Sequence, residues 1–125
     1  MIIVGNKYIK CDTFAKIESI DDIKNTPSNS TLIFKYDLEI MNYCFSNKLP
    51  YALFISNIKE AVFGNALGAK YLICSDSNAT EIQKIAENYM FDSKILVIIE
   101  DDEMIESIAK NGIDGVIYNS FLEIN

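Results

Sequence analysis

The chain has 125 residues, half of them apolar and 23% charged, with 18 acids against 11 bases and a formal charge of −7. That length and composition fit one globular domain and exclude a disordered chain. All the bases are Lys, and there is no His, Arg or Trp. Without imidazole there is no His general base, no Ser–His or Cys–His relay and no His-bound zinc. Without guanidinium there is no bidentate fork for phosphate or carboxylate. Scattered lysines on an acidic chain lead us to expect no nucleic-acid binding, which depends on neutralising phosphates.

Cys11, Cys44 and Cys74 are far apart, odd in number and lack a Cys-x-x-Cys spacing, so neither a metal motif nor a redox motif is expected. A reducing, cytoplasmic location follows as the expectation. The longest unbroken aliphatic run, Ile95–Ile99, is far shorter than the roughly 20 residues of a membrane helix, and Met1–Gly5 does not read as a signal peptide. No membrane association is expected.

In chain order, Ile2–Val4 and Lys7–Ile9 flank Gly5–Asn6, a pair suited to a hairpin turn. Phe14–Ile17 predicts a short extended piece, and Ser19 with Asp22 starts a short helix through about Lys24. The turn cluster Thr26–Ser30 closes this leading segment, residues 1–30. Leu32–Tyr36 then predicts a strand. The helix over Asp37–Asn47 is expected to turn Leu38, Met41, Cys44 and Phe45 to one face. Pro50 precedes a strand at Tyr51–Ile55. Asn57 and Glu60 mark the start of a helix expected to carry Ile58, Ala61, Val62 and Ala66 inward, with Gly68 as its stop. Tyr71–Cys74 is the next strand. Asn78–Met90 is the strongest helix, with Ile82, Ile85, Ala86 and Tyr89 on one stripe. Ile95–Ile99 reads as a strand buried on both faces. A helix through Met104, Ile105, Ile108 and Ala109 stops at Asn111–Gly112, and Val116–Tyr118 is the last strand before a short tail, Ser120–Asn125.

Strands alternating with helices about every 20 residues require parallel crossovers. The segments 51–75 and 95–119 superimpose without gaps, placing Gly68 over Gly112, Ile73 over Ile117 and Ile55 over Ile99. The expected fold is one α/β domain over 1–125, with βα repeats at 31–119. It would be a three-layer sandwich of about five mainly parallel strands with an N-terminal β-hairpin.

Ligands of such sheets bind beyond the carboxyl ends of the strands. Those corners carry Asp37, then Ser56–Asn57, then Ser75–Asp76–Ser77, then Glu100–Asp101–Asp102, then Asn119–Ser120. Asp37, Ser56, Asn57, Asp76, Glu100, Asp101, Asn119 and Ser120 are the candidate ligand-binding residues. Asp37, Asp76 and Asp101 could hold Mg²⁺ if the strands brought them together. The same residue types are also the preferred N-caps of the helices that follow, so capping alone would produce the pattern. No Gly-x-Gly-x-x-Gly or Walker-type loop is present.

Two short stretches resemble known families. Leu96–Glu103 is similar to the opening strand and acidic pair of response-regulator receiver domains, and Asp37 follows a strand as a phosphoacceptor would. The order departs from that family, and Cys74–Ser75 stands where a Lys-Pro is expected. Gly112–Ile117 is similar to late strands of phosphate-binding (β/α)₈ barrels, with Asn119–Ser120 in place of the phosphate-receiving Gly-Ser pair. A full barrel needs about 250 residues, so this chain could supply only half.

The leading topology is a flavodoxin- or receiver-like winding, with a Rossmann-like strand order second. No catalytic constellation emerges. The expected role is a non-catalytic interaction or regulatory domain acting as a homodimer, with no cofactor. Tyr89, Phe91 and Phe121 would form an interface if exposed together. The alternative is an Mg²⁺-dependent or phosphate-handling small-molecule enzyme with its site at the strand ends.

Overall fold

A computed structural model describes residues 1–124. Among them are seven strands: β1 (Ile2–Val4), β2 (Phe14–Lys16), β3 (Thr31–Lys35), β4 (Tyr51–Phe54), β5 (Tyr71–Cys74), β6 (Lys94–Ile99) and β7 (Gly115–Tyr118). The helices are α1 (Leu38–Ser46), α2 (Ile58–Ala66), α3 (Asp76–Asn88), α4 (Ile105–Lys110) and α5 (Asn119–Ile124), with 3-10 turns at Ile20–Asn25 and Asp102–Met104. One sheet holds all seven strands in the order β1-β7-β6-β5-β4-β3-β2. Every neighbouring pair is parallel. The parallel α/β class stands, and the sheet gains the two short strands of the leading segment.

The winding differs from expectation. From β2 to β7 each step along the chain moves one place in the same direction. Right-handed crossovers taken repeatedly in one direction put their helices on one face. Flavodoxin, receiver and Rossmann orders all need a reversal within the βα repeats, and none occurs between β2 and β7. The layers separate accordingly. Leu32, Leu53, Leu72, Val97 and Val116 face the helices, where Met41, Ala61, Ile82 and Ile108 pack onto them. The opposite face carries a smaller cluster of Val4, Phe14, Ile33, Ala52, Tyr71, Ile73, Leu96 and Ile117, closed by Leu122 of α5. The result is a half-barrel rather than a three-layer sandwich of even cover.

The hairpin is also absent. Lys7–Ile9 forms no strand, and β1 instead runs parallel to β7, with Ile2 opposite Gly115 and Val4 opposite Ile117. Chain length explains why the sheet must curl. In a flat sheet the β1 and β2 edges would lie about 29 Å apart, six strand spacings of roughly 4.8 Å. The link between them must also descend from the top of one strand to the foot of the other. Residues 5–13 could reach that far only if almost fully extended. They are not extended, because Asn6 accepts a turn hydrogen bond from the Ile9 N–H at 3.2 Å. Curling draws the two ends of the sheet toward each other, and Phe14 of β2 comes within 5.8 Å, ring to ring, of Phe121 in the helix that follows β7.

Gly115 makes the β1–β7 pairing feasible. A Cβ there would lie 2.4 Å from the Ile2 carbonyl oxygen and 2.8 Å from Leu96 Cδ2. A glycine at this strand start allows that close approach. At the foot of the sheet, Asp12 ties the link down. Its Oδ2 accepts from Lys70 Nζ at 2.5 Å, Tyr71 Oη at 3.0 Å and Thr31 Oγ1 at 3.2 Å. Burial alone would raise the Asp12 carboxyl, but the Lys70 and Tyr71 hydrogen bonds outweigh it and hold the group below its ordinary value.

The four outer helices share one way of stopping. Lys48, Gly68, Met90 and Gly112 all adopt positive φ just past the helix end. The next residue then donates its N–H back to the last turn: Leu49 to Cys44, Ala69 to Gly64, Phe91 to Ala86 and Ile113 to Ile108. This is the Schellman arrangement, and in each case the residue after the bend is apolar. The repetition seen between 51–75 and 95–119 therefore extends to every βα unit from β3 to β7.

Some expected core residues are outside. Leu38, Phe45 and Val62 are 47%, 53% and 41% exposed, and Tyr89 is 73% exposed. Only Ile40, Met41 and Cys44 of α1, and Ala61 and Gly64 of α2, are buried. Each short outer helix touches the sheet along a narrow stripe, so its broader apolar arc is left uncovered. The expected aromatic trio also separates. Phe91 and Phe121 pack partly buried against the core, and Phe121 meets Phe14 edge-on at 5.8 Å.

Candidate functional site

All strands point the same way, so their carboxyl ends form one rim that carries every candidate residue. Most of those side chains are already engaged locally. Asp37 caps α1, accepting from the N–H groups of Glu39 and Ile40 at 3.0 and 3.1 Å. Asn57 caps α2 by accepting from the Glu60 N–H at 2.9 Å, while Glu60 accepts from the Ser56 N–H at 2.8 Å. Asp101 accepts from the Glu103 N–H at 3.0 Å. Capping thus accounts for these three positions without a ligand.

Helix α3 begins two residues earlier than its sequence suggests, with Ser75 as its cap residue and Asp76 as its first residue. The Ser75 hydroxyl lies 2.9 Å from that of Ser77, and Asn78 Nδ2 donates to the Ser56 carbonyl at 3.1 Å, tying two corners together. At the far side of the rim Asn119 Nδ2 donates to Glu100 and Glu123 at 3.2 Å each. Tyr118 donates to Asp102, and Asn6 Nδ2 donates to the Tyr118 hydroxyl at 3.4 Å. The bond to Asp102 raises the Tyr118 hydroxyl above its ordinary value, against the opposing effect of the Asn6 bond. Ser120 lies exposed within α5 rather than in a loose tail.

The proposed magnesium set is not assembled. Asp37, Asp76 and Asp101 follow β3, β5 and β6, and among the described residues no group of three His, Cys, Asp or Glu side chains is placed to hold a metal ion. Nor does the barrel-like stretch supply a ligand site through Asp114. Its carboxylate accepts from the Ile95 N–H at 2.9 Å and its own N–H donates to Gln83 at 3.0 Å. Asp114 is used at the foot of the sheet, away from the rim.

The rim does contain a cleft of about 920 Å³ over the ends of β2, β3 and β4. Asp37 and Ser56 border it, but its character comes from residues the sequence reading passed over: Lys16, Glu18, Lys35, Phe54 and Glu60. The register explains their placement. Lys16 stands opposite Ile33, and Lys35 stands opposite Phe54. Ile33 and Phe54 belong to the inner face, so both lysines project from it too. A usable signal existed: in Ile33-Phe34-Lys35 a lysine occupies the same strand face as a buried Ile, which marks where that face opens to water.

No protein-family profile matches the chain, and no curated protein matches it. Among the described residues no helix is long and apolar enough to cross a membrane.

Proposed function

We propose that the chain is a non-catalytic interaction module that pairs with a second copy of itself through the outer face of α1 and α2. The carrying observation is the run of large apolar side chains left exposed there: Leu38, Tyr43 and Phe45 on α1, with Val62 and Phe63 on α2. Leu38 and Phe45 are seven residues apart on one helical stripe. The Phe45 ring reaches the Gly68 turn that ends α2, so the two helices offer one continuous surface. Exposed apolar patches of this kind mark contact sites.

A second copy suits this face on charge. The chain carries −7 overall, but α1 holds one acid and no base, and α2 holds one of each. Two acidic molecules meet here with little of the repulsion they would meet elsewhere. A two-fold contact lets the same patch serve both partners. The edge strands β1 and β2 are three residues each and offer little backbone to pair. Rim chemistry with Mg²⁺ has less support, because Asp37 and Asp101 already accept helix N–H groups. A reducing, cytoplasmic setting belongs to the same reading, supported by three unpaired cysteines, one of them exposed.

The test is light scattering after gel filtration across a concentration series. The wild-type chain is expected at twice its 14.1 kDa mass, and Phe45→Ser with Phe63→Ser at the single mass with an unchanged circular dichroism spectrum. Val62→Lys gives an independent variant should the double change unfold the chain. A wild-type monomer throughout, or a dimer indifferent to all three substitutions, refutes the proposal.

A further inference from the structure

Asn111–Gly112 is the one Asn-Gly pair in the chain, and it forms the bend that ends α4. Glycine has no Cβ to shield its nitrogen, so that nitrogen can reach the preceding side-chain amide with little steric cost. Both residues are exposed, and nothing lies within 4 Å of where a Gly112 Cβ would sit. Among the described residues the Asn111 amide makes no hydrogen bond, whereas Asn47 and Asn65, at the ends of α1 and α2, are engaged with Tyr43 and Ser93. In the closed bend Asn111 has ψ of 1°, and the Gly112 N–H is held by the Ala109 carbonyl at 3.0 Å. Ring closure therefore proceeds from an opened helix end. Of the four outer helices α4 is the shortest, and Ile108 is its only buried residue. Its closing bond, from the Ile113 N–H to the Ile108 carbonyl, is 3.4 Å long, against 2.9, 2.9 and 2.8 Å at α1, α2 and α3. Few buried contacts and a long closing bond make this the end that opens most easily.

We infer that Asn111 is a self-modification site, which converts without an enzyme to aspartate and isoaspartate. The Gly112 nitrogen gives its proton to hydroxide and forms a bond to Asn111 Cγ. The Cγ–Nδ2 bond breaks, and that nitrogen leaves as ammonia with a proton taken from water. Water then opens the cyclic imide at Cγ, leaving an aspartate, or at the main-chain carbonyl, leaving isoaspartate with the backbone routed through the side chain. The net change is water in and ammonia out, with no oxidation. Either product sets a carboxylate at the negative end of α4. Isoaspartate also adds a carbon to the main chain just before buried Ile113 leads into β7. Asp114–Gly115, three residues on, offers the same ring chemistry but is locked. The Asp114 carboxylate accepts from the Ile95 N–H at 2.9 Å, and Gly115 is paired in β7 between Ile2 and Leu96. The folded chain thus selects Asn111, independently of the pairing face on α1 and α2.

The purified chain is incubated at 37 °C at pH 6 and pH 8. It is followed by intact mass, peptide mapping and methyl transfer from S-adenosylmethionine by an isoaspartate carboxyl methyltransferase. The amide-to-carboxyl mass gain is expected in the peptide holding residues 111–112, faster at pH 8, with methyl acceptance rising alongside it. Conversion at Asn111 should outpace isomerisation at Asp114 by at least about tenfold in the native chain, because a paired strand opens far less often than a short helix end. In urea the Asp114 rate should rise by the larger factor, since unfolding removes its lock. Asn111→Gln, whose imide would need a larger ring, should remove both the mass gain and the methyl acceptance. An Asn111 that stays intact in the native chain while converting in urea overturns the inference. So do equal native rates at Asn111 and Asp114, or methyl acceptance unchanged in Asn111→Gln.

Discussion

Replacing Gly115 with alanine tests how β1 is held in the sheet. The added Cβ would meet the Ile2 carbonyl oxygen at 2.4 Å, Ile2 Cβ at 2.7 Å and Leu96 Cδ2 at 2.8 Å. Two of these contacts are with β1 and one is with a core side chain, so no single rotamer change relieves them. Relief requires β1 to withdraw by about 1 Å, an overpacking strain of roughly 1–3 kcal/mol. Withdrawal also weakens the backbone pairing of Ile2–Val4 with β7, at about 1 kcal/mol per bond lost. The total is about 2–4 kcal/mol, or a fall in Tm of roughly 8–15 °C for a chain of this size. Urea denaturation followed by circular dichroism reads the stability, and amide exchange at Ile2–Val4 reads the release of β1. Gly112→Ala is the comparator: its φ is +70° with no atom within 4 Å of a Cβ, so it carries only left-handed strain of about 1–2 kcal/mol. A Gly115→Ala variant no weaker than Gly112→Ala, with β1 amides still protected, would refute the reasoning.

Three further outcomes follow from the same geometry. Lys48 and Met90 occupy the left-handed bend that Gly68 and Gly112 fill elsewhere, so Lys48→Gly and Met90→Gly should each raise stability by about 0.5–1 kcal/mol in urea. Asp12 has a folded pKa below its ordinary 3.8, so its contribution is present above that value and is lost as the pH falls further. The acid limb of the stability curve below pH 4 should therefore flatten in Asp12→Asn. Burial pushes the Cys44 and Cys74 thiols up to about 11 and about 12, whereas Cys11 is exposed. With a chromogenic disulfide reagent at pH 8, one thiol should react quickly in the native chain, and all three only after unfolding.

The sequence signals that survived are those set by local chemistry. Gly68 and Gly112 marked helix stops because only a residue tolerant of positive φ closes that bend easily. Asn57 and Asp37 marked helix starts because their side chains accept the first free N–H groups. The parallel sheet followed from strand and helix alternation. Strand order did not, because the direction of each step depends on which edge the next strand joins. β1 was misplaced for a related reason. Gly5–Asn6 does form a bend, with φ of +103° at Gly5, but the partner of β1 lies more than a hundred residues away. Capping explains why the rim pattern overstated the metal site, and curvature explains why the cleft went unseen. Lys16 and Lys35 are separated in sequence and come onto one sheet face only when β2 docks beside β3. The excess apolar width of α1 and α2 was legible, but it was assigned to the core.

Concentration-dependent amide exchange tests the pairing face most directly. Exchange is followed by mass spectrometry from a few micromolar to several hundred micromolar. Peptides covering 38–46 and 58–67 are expected to exchange more slowly as concentration rises, while β1, β2 and the rim stay constant. Exchange in α1 and α2 that ignores concentration, or new protection at the sheet edges instead, would contradict the account.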